Sequence, residues 1–300
     1  MVDFNKVIKC KICQKIGSSL YKIKYSDNEL VFFLKKYYGS EKYESLKNRL
    51  ININFNLIKC DSCKFIWQEY SPIEKLSFDL YDNVIDNKKS LKKSEIKFQN
   101  KKNKYNDEIS FIINQFNNTK INILDFGAGW GHWVNSGDKN TYNPYAFELS
   151  NSRKKYLLKL GINVLDNTKI KNFYNYFHFI RLDQVLEHLD NLQDVLKLIK
   201  KLAKKKCIFY LSVPDGNKIF DNISNIKIEK GPIQPLEHLN CFSRYSINKL
   251  LSQEGFVSIK FLEIFFMHMK SLLRGKISLN LFLKDVKDCF ISTSIKFKIK

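Results

Sequence analysis

The sequence predicts an α/β protein, a doubly wound and mostly parallel sheet preceded by a small N-terminal domain organised by cysteines. Three observations lead there. From Lys120 onward, short apolar runs alternate with amphipathic stretches, the rhythm of a parallel sheet covered by helices on both faces. The first run, Ile121–Phe126, enters a loop holding Gly127, Gly129 and Gly131, and such sheets bind ligands at the carboxyl ends of their strands. Upstream, four of the seven cysteines form two close pairs, Cys10-x-x-Cys13 and Cys60-x-x-Cys63.

The 300 residues, 44% of them hydrophobic, suffice for one sizeable folded domain and a smaller one. The expected boundaries are a cysteine module over 1–75, a charged helical linker over 76–117 and the sheet domain over 118–300. In the module the two knuckles, Cys10, Cys13, Cys60 and Cys63, can supply four thiolates to a tetrahedral zinc, making a small zinc-binding, ribbon-like domain. The gap between them exceeds the roughly 15–20 residues of a compact ribbon, so Leu30–Leu50 reads as an inserted helical excursion. Glycine often follows the second cysteine of a knuckle, but Gln14 and Lys64 stand there. A redox pair is the alternative use. Cys207, Cys241 and Cys289 read as unpaired thiols.

The lysine-rich run Ile85–Asn106 has neither glycine nor proline and reads as a partly helical linker. Beyond Ile121–Phe126, the expected strands are Tyr145–Glu148, Ile162–Leu165, Phe177–Leu182 and Cys207–Val213, the last ended by Pro214. Helices are expected over Ser152–Leu160, stopped by Gly161, and over Leu192–Ala203, with Leu192, Val195, Leu196 and Ile199 on one face. A further helix, Ser246–Gln253, closes at Gly255 ahead of a strand-like Phe256–Ile264. The alternation in Ile291–Lys300 suggests one more strand.

The formal charge of +21 invites a nucleic-acid reading. Arginine, however, stands only at positions 49, 153, 181, 244 and 274, and base-reading proteins favour its planar fork. The lysines therefore read chiefly as solvated faces, with a functional basic surface as the alternative. Met1–Cys10 lacks the apolar core of a secretory signal. Ile112–Ile113 and Phe261–Met269 fall short of the roughly 20 residues that span a bilayer. No membrane partner is expected, and a reduced, cytoplasmic location is the simplest expectation.

A dinucleotide-binding loop needs its third glycine three residues after the second. His132 occupies that place and glycine comes one residue earlier, which disfavours NAD. The pattern that is present, Asp125-x-Gly127-x-Gly129-x-Gly131 after a strand, resembles the first motif of class I S-adenosylmethionine (SAM)-dependent methyltransferases, enzymes with a Rossmann-like sheet. Three later segments resemble the same family in order: Leu182-Asp-Gln-Val-Leu-Glu-His-Leu189, Tyr210-Leu-Ser-Val-Pro-Asp215, and Leu236-Glu-His-Leu-Asn-Cys-Phe-Ser243 followed by Gly255-Phe256. Together they cover residues 118–262, and within the class they most resemble the branch that methylates small molecules and sugars.

The resemblance implies roles residue by residue. The loop of Gly127, Gly129 and Gly131 would wrap the methionine part of SAM, with Asp125 orienting its amino group. Glu148 would grip the ribose, Asp166 (or Asn167) would lie near the adenine amino group, and Asp183 and Gln184 would lie at the cofactor's edge. His188 and His238, which follow Glu187 and Glu237, would be candidate bases near the transferred methyl. In some relatives the Glu-His pair helps bind a divalent metal, but Gln184 stands where a further acid would be needed, so a complete acidic metal site is not expected. Each residue has a plainer alternative: a helix-end acid for Glu148, a turn for Asp166, and a cap or satisfied buried polar group for the histidines. Trp130 reads as packing with a pocket-shaping alternative, and His132, His178 and His268 receive no role.

The function expected is SAM-dependent methyl transfer to a small-molecule acceptor, a sugar or glycan precursor among them. The alternative is an RNA or DNA methyltransferase that holds nucleic acid with its zinc module and lysines. Against it, Asp183-Gln-Val-Leu186 stands where amino-methylating base enzymes often carry Asn/Asp-Pro-Pro-aromatic; Asn143-Pro144-Tyr145 precedes the second strand. No proline precedes a cysteine, as it often does in cytosine-carbon enzymes. A non-catalytic binding module is a third class, opposed by the intact Asp125, glycine and Glu148 set.

Overall fold

Seven strands build the central sheet. They are β1 (Ile121–Phe126), β2 (Tyr142–Phe147), β3 (Asn163–Leu165), β4 (Phe177–Asp183), β5 (Ala203–Ser212), β6 (Phe256–Ser258) and β7 (Ile295–Ile299). The computed structural model describes residues 3–116, 120–221, 226–229, 231–259, 261–273 and 295–299, with 275, 278–280 and 283. The strand order is β3-β2-β1-β4-β5-β7-β6. The first five strands run parallel, and β7 lies antiparallel to both β5 and β6. Every residue of β1 is buried, as befits a strand covered on both faces. Because β1 has β2 on one side and β4 on the other, the chain changes direction of winding there, and the crevice at such a switch point is where open α/β sheets bind ligands.

The chain divides into two compact units, and this sheet belongs to the one comprising Asn87–Val185, Gln193–Ser212 and Leu251–Lys300. Its core packs Ile121, Ile123, Trp133, Val134, Tyr142 and Phe179 with Ile109 and Ile112 of the helix Asn87–Ile113. That helix is continuous where a partly helical linker was expected, its C-terminal turns anchored by the buried Ile109, Phe111 and Ile112 beyond the lysine run. The expected strand Phe256–Ile264 is corrected. It stops at Ser258, and Phe261–Leu273 is a helix, with Ile264, His268 and Ser271 buried at helical spacing. Ser258 and Lys260 alternate with apolar residues there, so the sequence carries a strand's period. β5 likewise begins at Ala203 and ends at Ser212, before Val213. Of the expected Ile291–Lys300 strand, residues 291–294 and 300 lie outside the described residues.

The other unit comprises Met1–Asp86, Leu186–Leu192 and Val213–Leu250, so it takes in two segments that the sequence reading assigns to the sheet domain. It is built on a four-stranded antiparallel sheet, ordered Asn240–Phe242, Phe65–Gln68, Asn54–Cys60, Ser18–Lys24. The excursion between the knuckles forms two helices, Asn28–Tyr38 and Ser40–Leu50, broken at Gly39. Asp27 caps the first by accepting the Glu29 N–H at 3.1 Å, a residue type suited to unpaired N-terminal donors. Their apolar faces bury Leu30, Leu34, Tyr38, Tyr43, Leu46 and Leu50 against Phe55, Leu57 and Ile66 of the sheet. Among the described residues, no helix is long and apolar enough to cross a membrane.

Candidate functional site

The glycine loop leaves β1 with Gly127, Gly129 and Gly131 at φ of +78°, +57° and +72°, the left-handed region that side chains resist. A Cβ on Gly127 would lie 2.5 Å from Val185 Cγ2, whereas one on Gly129 would meet nothing within 4 Å. Gly127 is thus needed for packing, and Gly129 faces open space. Asp125, just before the loop, is 1% exposed. Its Oδ1 accepts a hydrogen bond from Arg181 Nη1 at 3.1 Å, while its buried Oδ2 has no partner among the described residues. Burial pushes the Asp125 carboxyl up to about 6; Arg181 opposes that shift, and Asp183 and Glu148 add to it.

Arg181 is the functional residue that sequence reasoning missed. It sits on β4 directly opposite Asp125 of β1. Its Nη1 reaches Asp125 and its Nη2 reaches Asp183. Its guanidinium lies 4.5 Å from the ring centre of Trp133, whose indole N–H donates to Glu108 at 2.9 Å. Burial opposes its charge, but Asp183 and Asp125 more than offset this and hold it above its ordinary pKa. The available signal was an arginine placed two residues before Asp183 on the strand beside Asp125.

Glu148, at the end of β2, is 7% exposed. Its Oε2 accepts from the Gly129 N–H at 2.9 Å, and its Oε1 from the N–H groups of Leu149 and Ser150 at 2.9 and 3.0 Å. Glu148 therefore clamps the glycine loop to the next strand end, with acceptor capacity left on Oε2. Asp166 Oδ1 accepts from Thr168 Oγ1 at 2.6 Å and from the N–H groups of Thr168 and Lys169. These bonds, Thr168's foremost, hold its pKa below the usual carboxylate range and make it the organiser of a turn. Gln184 takes a left-handed φ of +59° and donates its backbone N–H to Ser212 O at 2.8 Å, tying the ends of β4 and β5. Trp130 is buried and donates from Nε1 to Ser90 Oγ at 3.1 Å. An unengaged buried carboxylate oxygen, a glycine facing open space and an acid at the next strand end suit a ligand that carries an ammonium group and a ribose.

In the other unit, the four cysteines converge. Cys10 Sγ lies 3.4 Å from Cys63 Sγ, and Cys13 Sγ lies 3.4 Å from Cys60 Sγ. All four sulfurs lie within 4.8 Å of one another. These separations are far too long for disulfides. A tetrahedral ion with metal–sulfur bonds of about 2.3 Å sets its sulfurs roughly 3.8 Å apart, within this range. Gln14 and Lys64 adopt left-handed φ of +61° and +54° and donate their N–H groups to the Cys10 and Cys60 carbonyls. The knuckle turn therefore forms without glycine. Cys207 and Cys241 are free and buried, and burial pushes the Cys241 thiol up to about 12; Cys289 lies outside the described residues.

The same unit gathers Glu187, His188 and His238, whose ligand atoms all lie within 4.8 Å of one another. The two imidazole rings sit 4.7 Å apart, near perpendicular. Glu187 is fully buried, with Oε1 3.9 Å from His188 Nε2. His188 Nδ1 lies 2.9 Å from the Glu237 carbonyl oxygen and 2.8 Å from Tyr81 Oη. Nδ1 is thus held between an acceptor and a hydroxyl that can donate or accept, and Nε2 faces the cluster. Glu237 itself turns away and accepts from Tyr38 Oη at 2.8 Å. Asn240 fixes the segment by donating from Nδ2 to the Leu186 and Leu189 carbonyls at 2.9 and 2.6 Å. Lys11, between the cysteines of the first knuckle, bonds Asp190 at 2.8 Å. Of the histidines given no role, His268 stacks on Phe111 within the core, His178 accepts from Asn122 N–H, and His132 stacks on Phe98.

A seven-stranded sheet of this order, with a glycine loop at its switch point, defines a doubly wound α/β protein with a ligand crevice at the carboxyl ends of its strands. The family profile described as a methyltransferase domain matches residues 98–260, more than half of the chain. The chain belongs to this methyltransferase family and is a SAM-dependent methyltransferase. No curated protein sequence matches it. Among solved structures, a SAM-dependent methyltransferase from Thermotoga maritima shares 17% identity over 55% of this chain and 77% of its own, with a TM-score of 0.39. One from Aquifex aeolicus shares 20% identity over 50% and 79%, at 0.37. Phosphoethanolamine N-methyltransferase 2 from Haemonchus contortus, in complex with SAM, shares 13% over 63% and 51%, at 0.38.

Proposed function

We propose that this methyltransferase transfers the methyl group of SAM to a small-molecule acceptor, a class that includes sugars and glycan precursors, with His188 taking the acceptor's proton. The observation that carries the reading is the placing of His188, its Nδ1 held by the Glu237 carbonyl and the Tyr81 hydroxyl and its Nε2 3.9 Å from the buried Glu187 carboxylate. SAM supplies an already electrophilic methyl; what remains for the protein is to orient the acceptor and take up its proton. The buried Glu187 carboxylate stabilises the imidazolium that forms, and His238 packs against the same ring. In the sheet unit, Asp125 takes the cofactor's amino group and Glu148 its ribose.

Zinc is proposed for Cys10, Cys13, Cys60 and Cys63, as a structural ion in a reducing compartment, because their spacing suits a tetrahedral ion. The acceptor is to be sought by mass spectrometry of small-molecule extracts incubated with isotope-labelled SAM. His188→Asn should lower turnover by about 10²–10⁴-fold and abolish the acidic limb of the pH profile, while SAM still binds. An unchanged profile refutes His188 as the base.

The nucleic-acid reading keeps one observation in its favour, a helix with Lys88, Lys89, Lys92, Lys93, Lys97 and Lys102 exposed. It requires polynucleotide binding that weakens steeply with salt.

A further inference from the structure

We propose that Arg181 is a positioning residue for the cofactor, its guanidinium fork bridging Asp125 and Asp183 so that Asp125 stays ionised with one oxygen left for the cofactor's α-ammonium. This rests on the reading of Asp125 as the partner of that ammonium. The argument begins with burial. A carboxylate that is 1% exposed favours protonation unless a cation compensates it. The compensating cation stands on the adjacent strand at the paired register position, Asp125 opposite Arg181. It engages Oδ1 alone, at 3.1 Å, and Oδ2 has no partner among the described residues.

The fork is itself held. Nη2 is bound by Asp183, one face lies on Trp133, and the Trp133 indole is fixed by Glu108. Lysine cannot reproduce this arrangement, because a single ammonium neither forks between two carboxylates nor stacks as a plane. The charged groups acting on Asp125 are Arg181 and Asp183 from β4 and Glu148 from the end of β2. Tyr210 and Glu108 act on Arg181 in turn. Asp183 and Glu148 push the Asp125 proton on and Arg181 pushes it off. Removing the guanidinium therefore raises the pH at which Asp125 ionises, and with it the pH below which an ammonium ligand is lost.

The test is calorimetric titration of the full-length protein with S-adenosylhomocysteine, which carries the α-ammonium, and with 5′-methylthioadenosine, which does not. In the wild type, homocysteine-nucleoside affinity should fall as pH drops through about 6, and methylthioadenosine affinity should stay flat. Arg181→Met should weaken S-adenosylhomocysteine about tenfold at pH 7, move its midpoint upward, and leave methylthioadenosine unchanged. Arg181→Lys, which keeps the charge and guards against failure of the first variant to fold, should give a smaller loss with little midpoint shift. Equal weakening of both ligands, or an unmoved midpoint in Arg181→Met, overturns the proposal. Should Arg181→Met not fold, wild-type S-adenosylhomocysteine affinity in Arg181→Lys, or equal loss of both ligands, overturns it as well. If the wild type binds methylthioadenosine but shows no pH dependence with S-adenosylhomocysteine, the role of Asp125 itself fails. If it binds neither, the cofactor site as a whole fails.

Discussion

Two alanine substitutions in the glycine loop should separate packing from ligand space. Gly127 and Gly129 both have left-handed φ, so a side chain at either costs roughly 1–2 kcal/mol in backbone strain. At Gly127 the new methyl would also lie 2.5 Å from Val185 Cγ2 and 3.3 Å from its Cγ1. Val185 is buried and branched at Cβ, so it has little freedom to turn aside. Overpacking of this kind adds about 1–3 kcal/mol, for a total of about 2–5 kcal/mol. At Gly129 there is no such neighbour, and its N–H can still donate to Glu148, so only the backbone term applies. Its methyl would instead enter the open space assigned to the cofactor. Urea unfolding in the absence of ligand and calorimetric SAM titration then give opposite orders. Gly127→Ala should be the less stable protein, and Gly129→Ala should lose only the backbone cost of about 1–2 kcal/mol but bind SAM at least tenfold more weakly, about 1.4 kcal/mol. A Gly129→Ala protein that binds SAM like the wild type would show that the cofactor does not lie against this loop.

Further outcomes concern the cysteine unit. Cys63→Ser removes one of four converging thiols and should lower bound zinc by one equivalent while reducing the thermal midpoint, because binding to a structural site is itself folding free energy; elemental analysis with calorimetric melting checks both. Asn240→Ala strips two hydrogen bonds from the Leu186 and Leu189 carbonyls in a buried setting and should cost about 2–3 kcal/mol. Urea unfolding measures this, and a cost below about 0.5 kcal/mol would mean that other contacts fix the Glu187–His188 segment.

The parts of the fold that were legible are those in which a local pattern has one structural solution. A mostly apolar run followed by alternating glycines reads as a central strand and its turn, and β1 and its loop stand where that pattern puts them. Two cysteine pairs predicted convergence of four sulfurs even without the customary glycines. The physical reason is that one left-handed residue per knuckle costs little beside the contacts it permits, and Gln14 and Lys64 both accept it. The stretch Phe256–Ile264 was misread because Ser258 and Lys260 alternate with apolar residues at a strand's period; only the burial of Ile264, His268 and Ser271 reveals a helix.

Less legible were properties that exist only between segments distant in sequence. Nothing local in Asn240-Cys-Phe242 says that it pairs with Phe65–Gln68 rather than with the parallel sheet. That pairing, with the Asn240 bonds to 186 and 189 and the Lys11–Asp190 bond in the first knuckle, assigns the Glu187–His188 pair to the cysteine unit. A cysteine module attached to the front of a sheet domain could be removed without touching the proposed base. In this chain, the residues that hold His188 and its neighbours (Lys11, Tyr81 and Asn240) all belong to the unit containing the cysteines. Stability of the four-thiol site and geometry of the proposed base are therefore properties of one folded body.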